Sequence, residues 1–202
     1  MIDKSIETKS IDELLKNAIF TKIFSEQDVL DILARVSDGG YKKVVFIDIP
    51  SKSETIWLYS QLVKSGVRVI VRDHHGVKEI KTQRDEAVQS SVNEILSLLW
   101  DDATISNRQD SPSCSWLLKS WEFVGDDTLI VSDTDPDGIL SAMKALGLWY
   151  EWIDEDCDIL DWPRSNQTKE SWLSENGVLL MQVMSCIPEF NANNKKQSDL
   201  TR

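Results

Sequence analysis

Val67-Arg68-Val69-Ile70-Val71-Arg72-Asp73-His74-His75 is the stretch on which the fold turns. Residues 67–71 are apolar and β-branched apart from Arg68, as expected of a strand in a sheet covered on two faces. An acid and the chain's only two histidines follow at once. Upstream, Gly66 closes a helix expected over Ser53 to Ser65, with Ile56, Trp57, Leu62 and Val63 as its buried positions. Before that helix, Val44-Val45-Phe46-Ile47 reads as a second strand, ending in Asp48 with Pro50 as a breaker. Strand, helix, strand is a βαβ unit, which requires parallel strands and a right-handed crossover. Asp48 and Asp73 are therefore expected at one carboxyl edge, where open α/β sheets collect ligands.

The same arrangement recurs downstream. Thr128-Leu129-Ile130-Val131-Ser132 reads as a strand that runs into Asp133-Thr134-Asp135-Pro136-Asp137-Gly138. Gly138 is expected to open a helix carrying Leu140, Ala142, Met143, Ala145 and Leu146. At the other end, Ser10 to about Val36 reads as two helices. The first carries Leu14, Leu15, Ala18 and Ile19, the second Val29, Leu30, Leu33 and Val36. Ser25 with Glu26, Gln27 and Asp28 is an N-cap with an acidic first turn, and Gly39-Gly40 is the stop. Further helices are expected over Arg84–Trp100 and from Ser111-Pro112 to Trp121, with a short strand at Ala103–Ser106. Beyond Glu151, a strand near Cys157–Leu160, a helix over Asn166–Leu173 and a segment over Val178–Cys186 complete the pattern. The expected fold is a doubly wound α/β domain, a mostly parallel sheet flanked by helices, over residues 1–190 with a helical segment at 1–40. Residues 191–202 hold no core formers and are expected to be a disordered tail.

Composition narrows the function. The chain has 202 residues, 41% hydrophobic and 28% charged, ordinary values for a globular protein with a real core. No apolar run approaches the roughly 18 residues of a membrane span, and no signal peptide is visible. Cys114, Cys157 and Cys186 form no CxxC pair, so the cytoplasm is the expected location and zinc or disulfide frameworks are not. A net charge of −12 argues against long duplex DNA as a partner, and no membrane partner is expected. It leaves a phosphorylated small substrate open, because carboxylates that hold metal present a positive site once loaded.

Three carboxylates in one turn repel one another when water is excluded, and a cation relieves that repulsion. The competing explanation for Asp133, Asp135 and Asp137 is a solvated acidic loop capping a helix. A calcium-binding EF-hand loop is excluded, because no Glu stands at its final ligand position and a strand precedes it. Imidazole is the commonest nitrogen ligand, and oxygen-rich sets with imidazole suit manganese-type ions. Two such clusters with Asp48, all at strand ends, are hard to explain without a shared ligand.

These residues resemble a known family. Arg72-Asp73-His74-His75-Gly76 resembles the namesake motif of the DHH phosphoesterases. Ser132-Asp133-Thr134-Asp135-Pro136-Asp137-Gly138 resembles that family's first motif in its RecJ-type form, and Phe46-Ile47-Asp48 its second. Asp110-Ser111-Pro112-Ser113-Cys114-Ser115 is similar to the Ser-rich helix start that follows the DHH motif. The resemblance spans roughly residues 43 to 148, with the first motif standing after the DHH motif as in a circular permutation. The chain is also too short for the usual second domain, an expectation that favours small substrates.

The resemblance implies that Asp48, His74, Asp133, Asp135 and Asp137 are metal ligands for two Mn²⁺ ions, with Mg²⁺ as the alternative. It implies His75 at the scissile phosphate and Asp73 orienting the histidines. Arg72, Arg108, Arg164 and Ser113 are the candidate substrate-binding residues. For the family's bridging aspartate, Asp127, Asp158 and Asp161 are all candidates. The eight tryptophans include Trp162, in Trp162-Pro163-Arg164, as a candidate base-stacking platform. The expected activity is metal-dependent hydrolysis of phosphodiesters in a small nucleotide, a cyclic nucleotide or a short single-stranded oligonucleotide, in a chain that could be a homo-oligomer. The rival is a catalytically eroded domain that binds a partner protein or senses a nucleotide.

Overall fold

A computed structural model describes residues 16–21, 25–50, 53–74, 105–107 and 127–147, with single positions 12, 114, 118, 125, 184, 185, 187 and 188. Eight elements lie among them: β1 (Ala18–Phe20), α1 (Glu26–Gly39), β2 (Lys43–Ile47), α2 (Ser53–Lys64), β3 (Arg68–Asp73), β4 (Ile105–Asn107), β5 (Thr128–Ser132) and α3 (Pro136–Leu146). The strands form one sheet in the order β1-β5-β2-β3-β4, and every pairing is parallel. This is an α/β fold.

β2, β3 and β5 are buried on both sides because their alternate residues enter two separate cores. Val45, Ile47, Ile70 and Ile130 face α3, packing with Ile139, Leu140, Ala142 and Met143. Val44, Phe46, Val69, Val71, Leu129 and Val131 face α1 and α2, packing with Val29, Ile32, Val36, Leu58, Tyr59 and Leu62. Phe46 and Tyr59 stack at a tilt, ring centroids 4.5 Å apart. The near-continuous apolar strands are a direct consequence of these two covered faces.

Local chemistry sets the helix ends. Ser25 and Asp28 form a reciprocal capping box: Ser25 Oγ accepts from the Asp28 N–H, and Asp28 accepts from the Ser25 N–H at 2.7 Å. Gly40 ends α1 with φ +64, a left-handed conformation that glycine adopts without steric cost.

Four expectations are corrected. Ala18–Phe20 is not helical: these residues pair in parallel with β5, Ala18 opposite Ile130 and Phe20 opposite Ser132. The Ala-Ile-Phe run suits a strand as well as a helix, and the open edge of β5 decides in favour of the sheet. In α1 the buried residues are Val29, Ile32 and Val36, whereas Leu30 is 48% exposed. In α2 the buried apolar positions are Leu58, Tyr59 and Leu62, and Trp57 is 50% exposed. α3 begins at Pro136 with Asp135 as its N-cap, ahead of Gly138.

The helices expected over 84–100 and 111–121, the segments beyond Glu151 and the tail at 191–202 lie outside the described residues, apart from single positions within them. Among the described residues, no helix is long and apolar enough to cross a membrane.

Candidate metal centre

Register places the acidic residues in one row. Ile47 is level with Arg72 on one side and Ser132 on the other. The next residues, Asp48, Asp73 and Asp133, therefore leave the sheet side by side at its carboxyl edge. The ladder continues through them: the Asp48 N–H donates to the Arg72 carbonyl at 2.8 Å, and the Asp133 N–H to the Ile47 carbonyl at 3.3 Å.

Asp48 then breaks the alternation. Its φ is +58, the only positive φ at a non-glycine among the described residues. Asp and Asn tolerate this region better than other side chains, and strain of this kind gathers at functional sites. The turn keeps Asp48 from following Phe46 into the core beneath α1 and α2. Its Oδ1 instead lies 3.3 Å from His74 Nε2, and Asp137 Oδ2 lies 3.4 Å from the same nitrogen. Asp137 comes from the first turn of α3, so three separate elements meet at one ring nitrogen. The donor atoms of Asp48, His74 and Asp137 all lie within 4.8 Å of one another.

This donor set suits a hard divalent cation. Neighbouring ligands around one octahedral ion stand about 3 Å apart, close to the separations here. Both carboxylates are buried, Asp48 at 0% and Asp137 at 1% exposure, and His74 keeps only a narrow opening to solvent. Burial drives the Asp48 carboxyl well above its ordinary pKa, and the charges of Asp137 and then Asp135 push it further. The Asp135 carboxyl is likewise raised, from 3.8 to about 6, first by burial and then by Asp137. Carboxylates held in these positions are costly as bare anions, and a cation offsets that cost.

The other expected residues divide clearly. Asp135 stands beside Asp48 and Asp137, but its Oδ1 also accepts the Gly138 N–H at 3.2 Å as a helix cap. The capping explanation is thus correct for this oxygen. Asp133 Oδ1 accepts from the backbone N–H of Thr134, so that oxygen is turned toward its own loop. Asp73, 1% exposed, follows Val69 and Val71 on the α2 side of the sheet, where its charge raises the pKa of buried Tyr59 after burial itself. Arg72 is half-buried and donates from Nη1 to the Val71 carbonyl at 3.2 Å. Asp127 is misplaced for a bridging ligand. Its carbonyl accepts from Lys42 and Lys43 ahead of β5 and β2, so it lies at the amino edge, roughly 16 Å of strand from the centre. His75, Arg108, Ser113, Asp158, Asp161, Trp162 and Arg164 lie outside the described residues.

Gly138 lets the acidic turn close on itself. A Cβ at this position would stand 2.8 Å from the Asp133 carbonyl oxygen and 3.1 Å from Asp135 Oδ1. Cys114 was not singled out from sequence, yet its N–H donates to Asp137 Oδ2 at 2.8 Å. Its position beside Ser113, in a serine-rich stretch that follows the histidines, was the available signal.

No family model, curated protein or solved structure matches this chain.

Proposed function

We propose that the chain is a metal-dependent phosphodiesterase, and that Asp48, His74 and Asp137 hold a divalent cation of the Mn²⁺ or Mg²⁺ type. One observation carries this reading: two buried carboxylates and one imidazole, from three separate elements, converge at 3.3 and 3.4 Å on a sheet's carboxyl edge. Asp135 completes the acidic wall on the side of α3. The likeness of these same residues to the motifs of the DHH phosphoesterases, here in permuted order, supports phosphodiesters as the substrate class.

The roles follow from position. His74 supplies the single nitrogen donor and, at 15% exposure, faces the route by which a substrate phosphate arrives. Asp48 and Asp137 supply charge from rigid points, a strand end and a helix start. A bound divalent cation lowers the pKa of a coordinated water and neutralises charge on a phosphoryl oxygen. The N-terminus of α3, whose first-turn N–H groups lie at the same edge, adds a favourable field for an anionic substrate. A net charge of −12 disfavours long polyanions, so a small nucleotide or a short oligonucleotide is the proposed substrate.

The test is hydrolysis of a chromogenic phosphodiester with and without Mn²⁺, alongside His74→Ala. Turnover that requires Mn²⁺ and falls at least a hundredfold in the variant is the expected result, in line with loss of a metal ligand. Turnover that ignores both Mn²⁺ and the variant would sink the proposal.

A second reading has one observation in its favour. Among the described residues the cluster offers three protein donors, fewer than the usual complement of an oxygen-ligand cation, and Asp127 is too distant to add one. A domain that binds Mn²⁺ and a nucleotide without turnover would identify it as a sensing module.

A further inference from the structure

We propose that Cys114 is a positioning residue that fixes the three donors of the candidate centre relative to one another, a role that rests on the metal-binding reading above. Cys114 is fully buried and touches all three ligand-bearing segments. Its Sγ–H donates to the Arg72 carbonyl at 3.3 Å, two residues before His74. That same carbonyl receives the Asp48 N–H at 2.8 Å. The sulfur is also within reach of the Asp48 N–H itself, so it sits against both partners of the bond that seats Asp48 on β3. On the other side, the Cys114 N–H donates to Asp137 Oδ2 at 2.8 Å, and this is the oxygen that faces His74.

The thiol is suited to this and not to nucleophilic work. It is fully buried, and its sulfur donates to the Arg72 carbonyl, so it is spent on that backbone contact. Bonds that orient metal ligands are worth about 10- to 100-fold in metal affinity. The backbone bond to Asp137 survives any substitution at 114, but its aim depends on the thiol holding residue 114 against β3.

The experiment compares Cys114→Ala, Cys114→Ser and Cys114→Val in the full chain with two readouts. The first is Mn²⁺ affinity, from the paramagnetic resonance signal of free Mn²⁺. The second, in metal-free protein, is the set of imidazole nitrogen resonances, which is simple to read because the chain has only two histidines. Cys114→Ala should weaken Mn²⁺ binding about tenfold or more and move one ring's resonances, whereas Cys114→Ser, which keeps a donor, should stay near wild type. Cys114→Val, larger than cysteine and so leaving no cavity, but without a donor, should behave like Ala, which guards against a cavity effect or a failure of the Ala variant to fold. A purely packing role predicts the reverse, with Ser no better than Ala or Val. Equal Mn²⁺ affinity and unmoved rings across all three variants would overturn the proposal. If wild type binds no Mn²⁺ while the rings still separate Ala and Val from Ser, Cys114 retains its positioning role and the metal reading fails.

Discussion

Asp48 carries two costs at once: a buried carboxylate and a left-handed backbone. Asn tolerates the same φ and carries no charge. Asp48→Asn should therefore raise metal-free stability at pH 7.5, on the order of 1 kcal/mol by denaturant midpoint, while removing Mn²⁺ affinity. Lower stability in that variant would show that the carboxylate is better accommodated than its surroundings indicate. Asp135 gives a signed pH dependence. Its pKa rises from 3.8 to about 6 on folding, so the folded chain binds this proton more tightly than the unfolded one. Its contribution to metal-free stability is then fully present below about 3.8 and is lost as pH rises through about 6. Asp135→Asn keeps a good helix cap and should flatten that decline, measurable as midpoints between pH 4 and 7. At this scale the sequence was most informative about residue types: Asp48, His74 and the Asp133–Asp137 turn were legible as one cluster. The choice among Asp133, Asp135 and Asp137 was not, because one residue of rotation about a turn decides which oxygen caps the helix and which faces the imidazole.

Elements whose ends are set by local chemistry were readable, and those settled by tertiary contacts were not. Ser25, the acidic first turn and Gly39-Gly40 fixed α1 from sequence because caps act over three or four residues. Ser25→Ala should cost about 1 kcal/mol in the thermal or denaturant midpoint and leave Mn²⁺ affinity unchanged. β1 was missed because its apolar residues fit a helical stripe equally well; the partner that makes it a strand, Ile130–Ser132, is remote in sequence. Trp57 was misassigned for a related reason: α2 is apolar on more than one side, and only the position of the sheet selects Leu58, Tyr59 and Leu62. In α3 the decisive residue is Gly138. Gly138→Ala should cost roughly 1–3 kcal/mol, because the added carbon meets the Asp133 carbonyl, a backbone atom that cannot step aside. The same variant should weaken Mn²⁺ binding, since displacing the turn carries Asp137 with it. A variant of wild-type stability and affinity would show that the turn has more room than its geometry indicates.

At the scale of the molecule, the sheet joins two cores, and the centre sits where both end. Binding a cation to the folded chain alone should raise its stability by about 2.7 kcal/mol at a hundredfold excess over Kd, seen as a Mn²⁺-dependent midpoint absent in His74→Ala. The α/β class was legible because the βαβ unit around Asp48 and His74 is local. Strand order was not, since nothing in Thr128–Ser132 states which neighbours it will have. That order has a consequence for how the chain comes into being. β5, late in the sequence, is seated between β1 and β2, which are both made early. The early strands cannot zip together in sequence but must keep a berth for a latecomer, and until it arrives two hydrogen-bonding edges stand open. A nascent chain that ends before Thr128 is thus the species most prone to stick to its neighbours, and the site is complete only once α3 has followed β5.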